Sequence, residues 1–146
     1  MHNNFEILSI NISDRKGVQK RPIAKAVLRS NHGIEGDAHA GDWHRQISLL
    51  ADEDIDTMRG RGAELGSGDF AENITTRGVD LASLPVGAEL HIGEAILEVT
   101  QIGKECHHDC AVFNIVGDCV MPRKGIFAKV VRGGVIHNDS ECYYDL

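Results

Sequence analysis

The densest run of chemically competent side chains is Gly103 to Cys110, GKECHHDC. Cys106 and Cys110 are four positions apart, so one helical turn would put both thiols on the same face. A thiolate there can bind a soft metal or carry sulfur, and Lys104 or a protonated His107 or His108 would lower its pKa. Zinc is a second reading, with His32, His39 or His44 completing a ligand set, although the spacing matches no common zinc module. Two small buried cysteines beside incidental histidines are the plain alternative.

Further along, Gly117 to Gly125 reads GDCVMPRKG. Cys119 is either a partner thiol to Cys110 or a core cysteine beside Val120 and Met121. Arg123 and Lys124 suit a phosphate or plain solvent. Upstream, Gly33 to Gly41 (GIEGDAHAG) holds three glycines and Asp37. It lacks the Lys-Ser/Thr pair of a P-loop and the glycine spacing of a dinucleotide fingerprint, so a structural turn is the default there. Trp43, His44, Arg45 and Gln46 add a cation and an amide nearby. Asp69 to Thr76 supplies Asn73 and hydroxyls that can meet a polar heterocycle or cap a turn.

Elements that would position these groups are mostly strands. Phe5 to Ile12 alternates in part and ends in the polar turn Ser13 to Gly17. Ile23 to Leu28, entered through Pro22, is a second strand, and Ile47 to Leu50 a third. One helix is expected from Asp52 to Arg59: its first turn is acidic, and glycines 60 and 62 follow its end. Ala51, Ile55 and Met58 form its apolar stripe. Phe70 to Thr75 is expected as a strand. Glu89 to Ile92 with Ala95 to Ile102 reads as a hairpin about Gly93 and Glu94. Phe127 to Val131 with Val135 to His137 reads as another about Gly133 and Gly134. Residues 103–125 are too polar for a core strand, which makes them the place for chemistry. Many short strands and one or two peripheral helices predict a mainly β chain forming a closed or nearly closed barrel, with residues 1–146 as one domain.

Composition narrows the function classes. Of 146 residues, 42% are hydrophobic, enough for a core, and 25% are charged, which does not indicate disorder. Sixteen glycines against three prolines suit tight turns between strands. A net charge of −7 argues against a general nucleic-acid binder and requires any anionic ligand to meet a local basic cluster. No apolar run approaches the roughly 20 residues that span a bilayer, and Glu6, Ser9 and Asn11 interrupt any leader-like segment. The expectation is a cytoplasmic protein, free of membrane and nucleic acid, whose four cysteines are thiols or ligands rather than disulfides.

Taken together, five stretches resemble the MOSC family, named for the C-terminal domain of molybdenum cofactor sulfurase, and in particular its short stand-alone bacterial members. They are Gly33 to Gly41, Arg45 to Leu49 (RQISL), Gly68 to Thr76 (GDFAENITT), Val86 to Gly93 (VGAELHIG) and Cys106 to Gly125, in the family's order. The resemblance implies a β-barrel with peripheral helices, a molybdopterin pocket and one key cysteine shortly after the strand ending near Ile102. Cys110 fits that place, as molybdenum ligand or persulfide carrier, with Cys106 as a second catalytic thiol. Asp109 precedes it where relatives usually carry Arg. Asn73 matches the family's amide, and Ala71 stands where the reductase branch often has Arg. Lys20, Asp37, Arg45, Asn73, Lys104, His108 and Lys124 are the expected cofactor-binding residues; charge and position, rather than a motif, put Lys20, Arg21, Arg45 and Lys124 toward the pterin phosphate.

The function implied is binding of the molybdenum cofactor, with a tungsten form open, or sulfur carriage during its maturation. Molybdenum cofactor biosynthesis proteins or molybdoenzymes would be partners, and a cysteine desulfurase a candidate sulfur donor. Pyridoxal phosphate is not expected on this chain. Two alternatives stay open: a molybdenum-dependent reductase component for N-hydroxylated substrates, drawing electrons from partners, and a zinc or thiol binding module.

Overall fold

The computed structural model describes residues 3–15, 20–59, 72–103 and 125–145, with the backbone alone at 57–59. Strand β1 (Asn3–Ile12) shows how the chain builds its wall. Ile7 and Ile10 join the apolar core, and a register irregularity between Ile7 and Ser9 accounts for their three-residue spacing. Ser9 and Asn11 therefore face the other side. Strands β2 (Arg21–Ile23) and β3 (Lys25–Arg29) follow, split at Ala24, where the sequence predicted one strand. Short β4 (Gly33–Ile34) lies inside the glycine loop.

Strand β5 (Ile47–Ala51) runs into helix α1 (Asp52–Arg59), with the expected helix bounds. Asp52 at the helix start binds Arg77 at 2.6 Å, and Glu53 accepts the Gly78 N–H at 2.9 Å, so the acidic first turn is tied to the end of β6 (Ile74–Arg77). Ile55 is fully buried, as the stripe requires. Strand β6 begins four residues later than Phe70. Asn73 hydrogen-bonds β1 and β5 from just before the strand, and residues 70 and 71 lie outside the described ones.

A 3-10 turn (Leu81–Ser83) leads to β7 (Glu89–Ile92) and β8 (Ala95–Ile102), which form the expected hairpin. Then come β9 (Ile126–Arg132), β10 (Gly134–His137) and β11 (Cys142–Tyr144). Seven strands close a barrel in the order β1, β6, β5, β9, β8, β7, β11 and back to β1. Only β5 and β6 pair in parallel; the other neighbours are antiparallel. The mainly β barrel expected from the sequence is the fold observed.

The expected hairpin between β9 and β10 does not form. Strand β10 pairs with β3 instead, in a separate sheet ordered β10, β3, β4. Gly133 makes this corner: a Cβ there would stand 2.4 Å from the Leu28 carbonyl oxygen, so only glycine lets the two backbones approach.

Inside the barrel, alternate residues meet. Ile47, Leu49 and Ala51 of β5, Ile126, Ala128 and Val130 of β9, and Leu97 and Val99 of β8 all belong to one core. The intervening residues Ser48 and Phe127 must point outward, yet both are buried. This stretch of barrel wall is thus covered on both faces.

Candidate functional site

The outer face of β1, β6 and β5 carries a buried polar network instead of a solvated surface. Ser9, Asn11 and Ser13 alternate along β1 and its exit, and each is at most 6% exposed. Ser9 Oγ donates to Asn11 Oδ1 at 2.6 Å, Asn11 Nδ2 to Thr75 Oγ1 at 3.2 Å, and Thr75 Oγ1 to Glu72 Oε2 at 2.8 Å. Every donor in this chain runs the same way and ends on a fully buried carboxylate. Asn73, also fully buried, joins the two sides. Its Oδ1 accepts the Ser48 N–H at 2.9 Å and the Ser48 hydroxyl at 3.2 Å, while its Nδ2 donates to the Asn11 carbonyl at 3.1 Å.

At one edge of this network lies a sealed ion pair. Lys20 Nζ is 2.7 Å from Asp37 Oδ1, and neither side chain has any solvent exposure. The same ammonium lies 3.1 Å from Ser13 Oγ and 3.0 Å from His39 Nδ1. Three N–H bonds thus face three acceptors, and His39 is read as the tautomer whose Nδ1 lone pair accepts. Asp37 also accepts the N–H groups of Ser13 and His39, each at 3.1 Å. Burial alone would raise the Asp37 pKa. The hydrogen bond and charge of Lys20, helped by Ser13 and Asn73, outweigh it and hold the carboxyl below its ordinary value.

Arg45 is arranged differently. Its Nε donates to Gln101 Oε1 at 3.1 Å, and its guanidinium carbon stands 5.1 Å from the centre of the Phe127 ring. Its terminal nitrogens make no hydrogen bond or ion pair among the described residues. A half-buried guanidinium is thus fixed by one nitrogen and one aromatic face, with its fork open. Arginine only donates, so the Gln101 oxygen must face Arg45. That orientation leaves Gln101 Nε2 to donate to the Gly103 carbonyl at 2.7 Å, while Oε1 also accepts from His44 Nε2 at 3.0 Å. Gly103 N–H donates to Gly125 O at 2.7 Å, which pinches together the two ends of the segment 104–124. Arg45 therefore sits at the root of the segment that carries the candidate thiols. Trp43 packs edge-on to His44 with ring centres 5.9 Å apart.

The expected site residues separate accordingly. Lys20, Asp37 and Asn73 are brought into one buried network; Arg45 stands on the same wall through Phe127, the register partner of Ser48. Cys110, Cys106, Lys104, His108 and Lys124 lie outside the described residues, as do His107, Cys119 and Arg123. Among the described residues no three of His, Cys, Asp and Glu are placed to hold a metal ion. His39 faces Lys20 and His44 faces Gln101. Cys142 is a free thiol at 3% exposure; burial, then the charge of Glu141, pushes its pKa up to about 12, so it is an inert core cysteine.

Sequence reasoning missed Ser13, Ser48, Glu72, Gln101 and Phe127. The alternation of Ser9, Asn11 and Ser13 against Ile10 and Ile12 was visible, but it reads equally as a solvated strand face. Only the covering loops make it an interior.

Comparison with known proteins follows the same lines. The family model for the MOSC domain matches residues 35–143. No curated protein matches the chain. Among solved structures, the YuaD protein of Bacillus subtilis superposes with a TM-score of 0.83 at 19% identity, covering 99% of this chain and 97% of that one. YiiM of Geobacillus stearothermophilus gives 0.74 at 21%, covering 97% and 75% respectively. YiiM of Escherichia coli gives 0.74 at 19%, covering 98% and 70%. No helix among the described residues is long and apolar enough to cross a membrane. The family match over most of the length, on this barrel, makes the chain a member of the MOSC domain family, and that membership supports a general role in molybdenum cofactor binding or sulfur handling.

Proposed function

We propose that this chain binds the molybdenum cofactor against the outer barrel wall, with Cys110 as the thiolate that ligates the metal or carries sulfur for it. The observation that carries the reading is Arg45: a guanidinium whose fork has no partner among the described residues, on a chain of net charge −7, beside the root of the cysteine-bearing segment. An oriented fork of this kind suits the phosphate of a pterin cofactor, because two parallel N–H bonds match two phosphate oxygens. Lys104 and Lys124 flank the same segment in sequence and would add charge there. Lys20, Asp37 and Asn73, in this reading, brace the wall that Arg45 and Phe127 line; their polar atoms already have protein partners. When bound, the cofactor supplies a molybdenum or tungsten centre for redox or sulfur chemistry. The chain's own residues anchor the phosphate and present a soft sulfur. Cofactor biosynthesis proteins, molybdoenzymes or a sulfur donor are the partners this role requires.

The test compares wild type with Cys110→Ser, both purified from a host that makes the cofactor. Molybdenum or a persulfide mass shift should be present in wild type and lost in Cys110→Ser. Cys142, buried and protonated, should stay unmodified in both and serves as an internal control. Equal metal and equal sulfur in both proteins would remove Cys110 from the role.

A further inference from the structure

We infer that Gln101 is a positioning residue that aims the Arg45 guanidinium through a neutral contact, with no ion pair to it among the described residues, and that this neutral anchor sets the affinity of the site for a phosphate-type anion. The inference rests on the reading of Arg45 as an anion site and goes beyond it by assigning the residue that makes it one. Arg45 could be held by either kind of acceptor. A carboxylate would fix the Nε at least as firmly, but would cancel the positive charge within about one bond length of where a ligand needs it. An amide oxygen fixes direction with a dipole and leaves the monopole whole. Gln101 Oε1 at 3.1 Å is that amide, and among the described residues no carboxylate forms an ion pair with Arg45.

The amide itself cannot turn. Oε1 faces two donors, Arg45 Nε and His44 Nε2, while Nε2 faces the Gly103 carbonyl, so a flipped side chain would set donor against donor and acceptor against acceptor. His44, whose ring nitrogen must donate here, adds no negative charge in either protonation state. The Phe127 ring at 5.1 Å covers the guanidinium without neutralising it. Among the described residues the cation is held by an amide oxygen and an aromatic face, neither of them anionic.

The experiment measures inorganic phosphate binding by calorimetry, at several salt concentrations, on the full chain and on Gln101→Glu, Gln101→Met and Arg45→Gln, with thermal midpoints alongside. Gln101→Glu gains an ion pair with Arg45 but sets an oxygen against the Gly103 carbonyl, so its midpoint is not diagnostic; it should bind phosphate at least about tenfold more weakly, with a shallower salt dependence, since a charge-assisted contact is lost. Gln101→Met keeps the charge and loses the aim, so its affinity should fall by only about two- to threefold with the salt dependence intact. Both variants lose the donor to the Gly103 carbonyl, so the salt dependence is the readout: a purely structural Gln101 would leave it alone in both. The inference is overturned if Arg45→Gln loses phosphate binding while Gln101→Glu retains wild-type affinity. It is also overturned if Gln101→Met shows the shallower salt dependence, a result that stands even if Gln101→Glu does not fold. If Arg45→Gln binds phosphate as wild type does, the anion reading itself fails.

Discussion

Lys20 Nζ and Asp37 Oδ1 lie 2.7 Å apart with no solvent access to either side chain. The pair ties the chain entering β2 to the glycine-rich loop after β4, and Ser13 at the end of β1 joins both. Because each charge is buried, each depends on the other. Removing one partner strands the other in a medium that cannot solvate it.

Asp37→Asn should therefore destabilise the protein by about 3–5 kcal/mol near neutral pH, read from urea denaturation. The pH dependence follows from the depressed Asp37 pKa. Its stabilising contribution is present above the unfolded value of 3.8 and is lost as pH falls through the lower folded value. The stability gap between wild type and Asp37→Asn should hold steady from neutral pH down to roughly 4 and narrow below that. A gap that is already small at pH 7 would show the pair to be dispensable.

Asn73 joins β1 to β5 through one carboxamide, and its two ends are matched to unlike partners. Asn73→Ala leaves the Asn11 carbonyl and the Ser48 amide without their buried partner and should cost roughly 2–4 kcal/mol. Asn73→Asp keeps the shape and the Ser48 contacts, but sets an oxygen against the Asn11 carbonyl and a charge near Asp37. It should be the worse of the two at pH 7 and recover toward the alanine variant as the new carboxyl protonates. Chemical denaturation of both variants at pH 7 and pH 5 checks this ordering; the reverse order would mean that Asn73 Nδ2 does not hold the wall.

The ease of reading this chain varied with the range of the forces involved. Helix α1 was visible because its acidic start and its glycine stop are local effects, as was the β7–β8 hairpin about Gly93 and Glu94. The barrel was visible in the many short strands with turn signals between them; in β8, Ala95, Leu97 and Val99 all turn into its core. The fate of β10 was not, because Gly133 and Gly134 signal a turn without saying that a Cβ at 133 would strike Leu28, 105 positions earlier in the chain. Lys20 looked like a free cation for the same reason: its partner Asp37 is 17 residues away and meets it only after β1 and β4 are in place. Arg45 and Asn73 were both expected at the site, Asn73 from its match to the family's amide and Arg45 from its charge and position. Their unequal surroundings, one open and one closed, depend on Gln101 and Ser48, which no local signal singles out.

Most of what is proposed for this chain follows if an anionic pterin cofactor is held at Arg45. The most direct test is the pterin and molybdenum content of the full chain, purified from a host that makes the cofactor, beside Arg45→Gln at matched thermal midpoint. Wild type should carry near-stoichiometric pterin and the variant about tenfold less, as loss of a charged fork to phosphate implies. Equal pterin in the two proteins, or none in either, would contradict it.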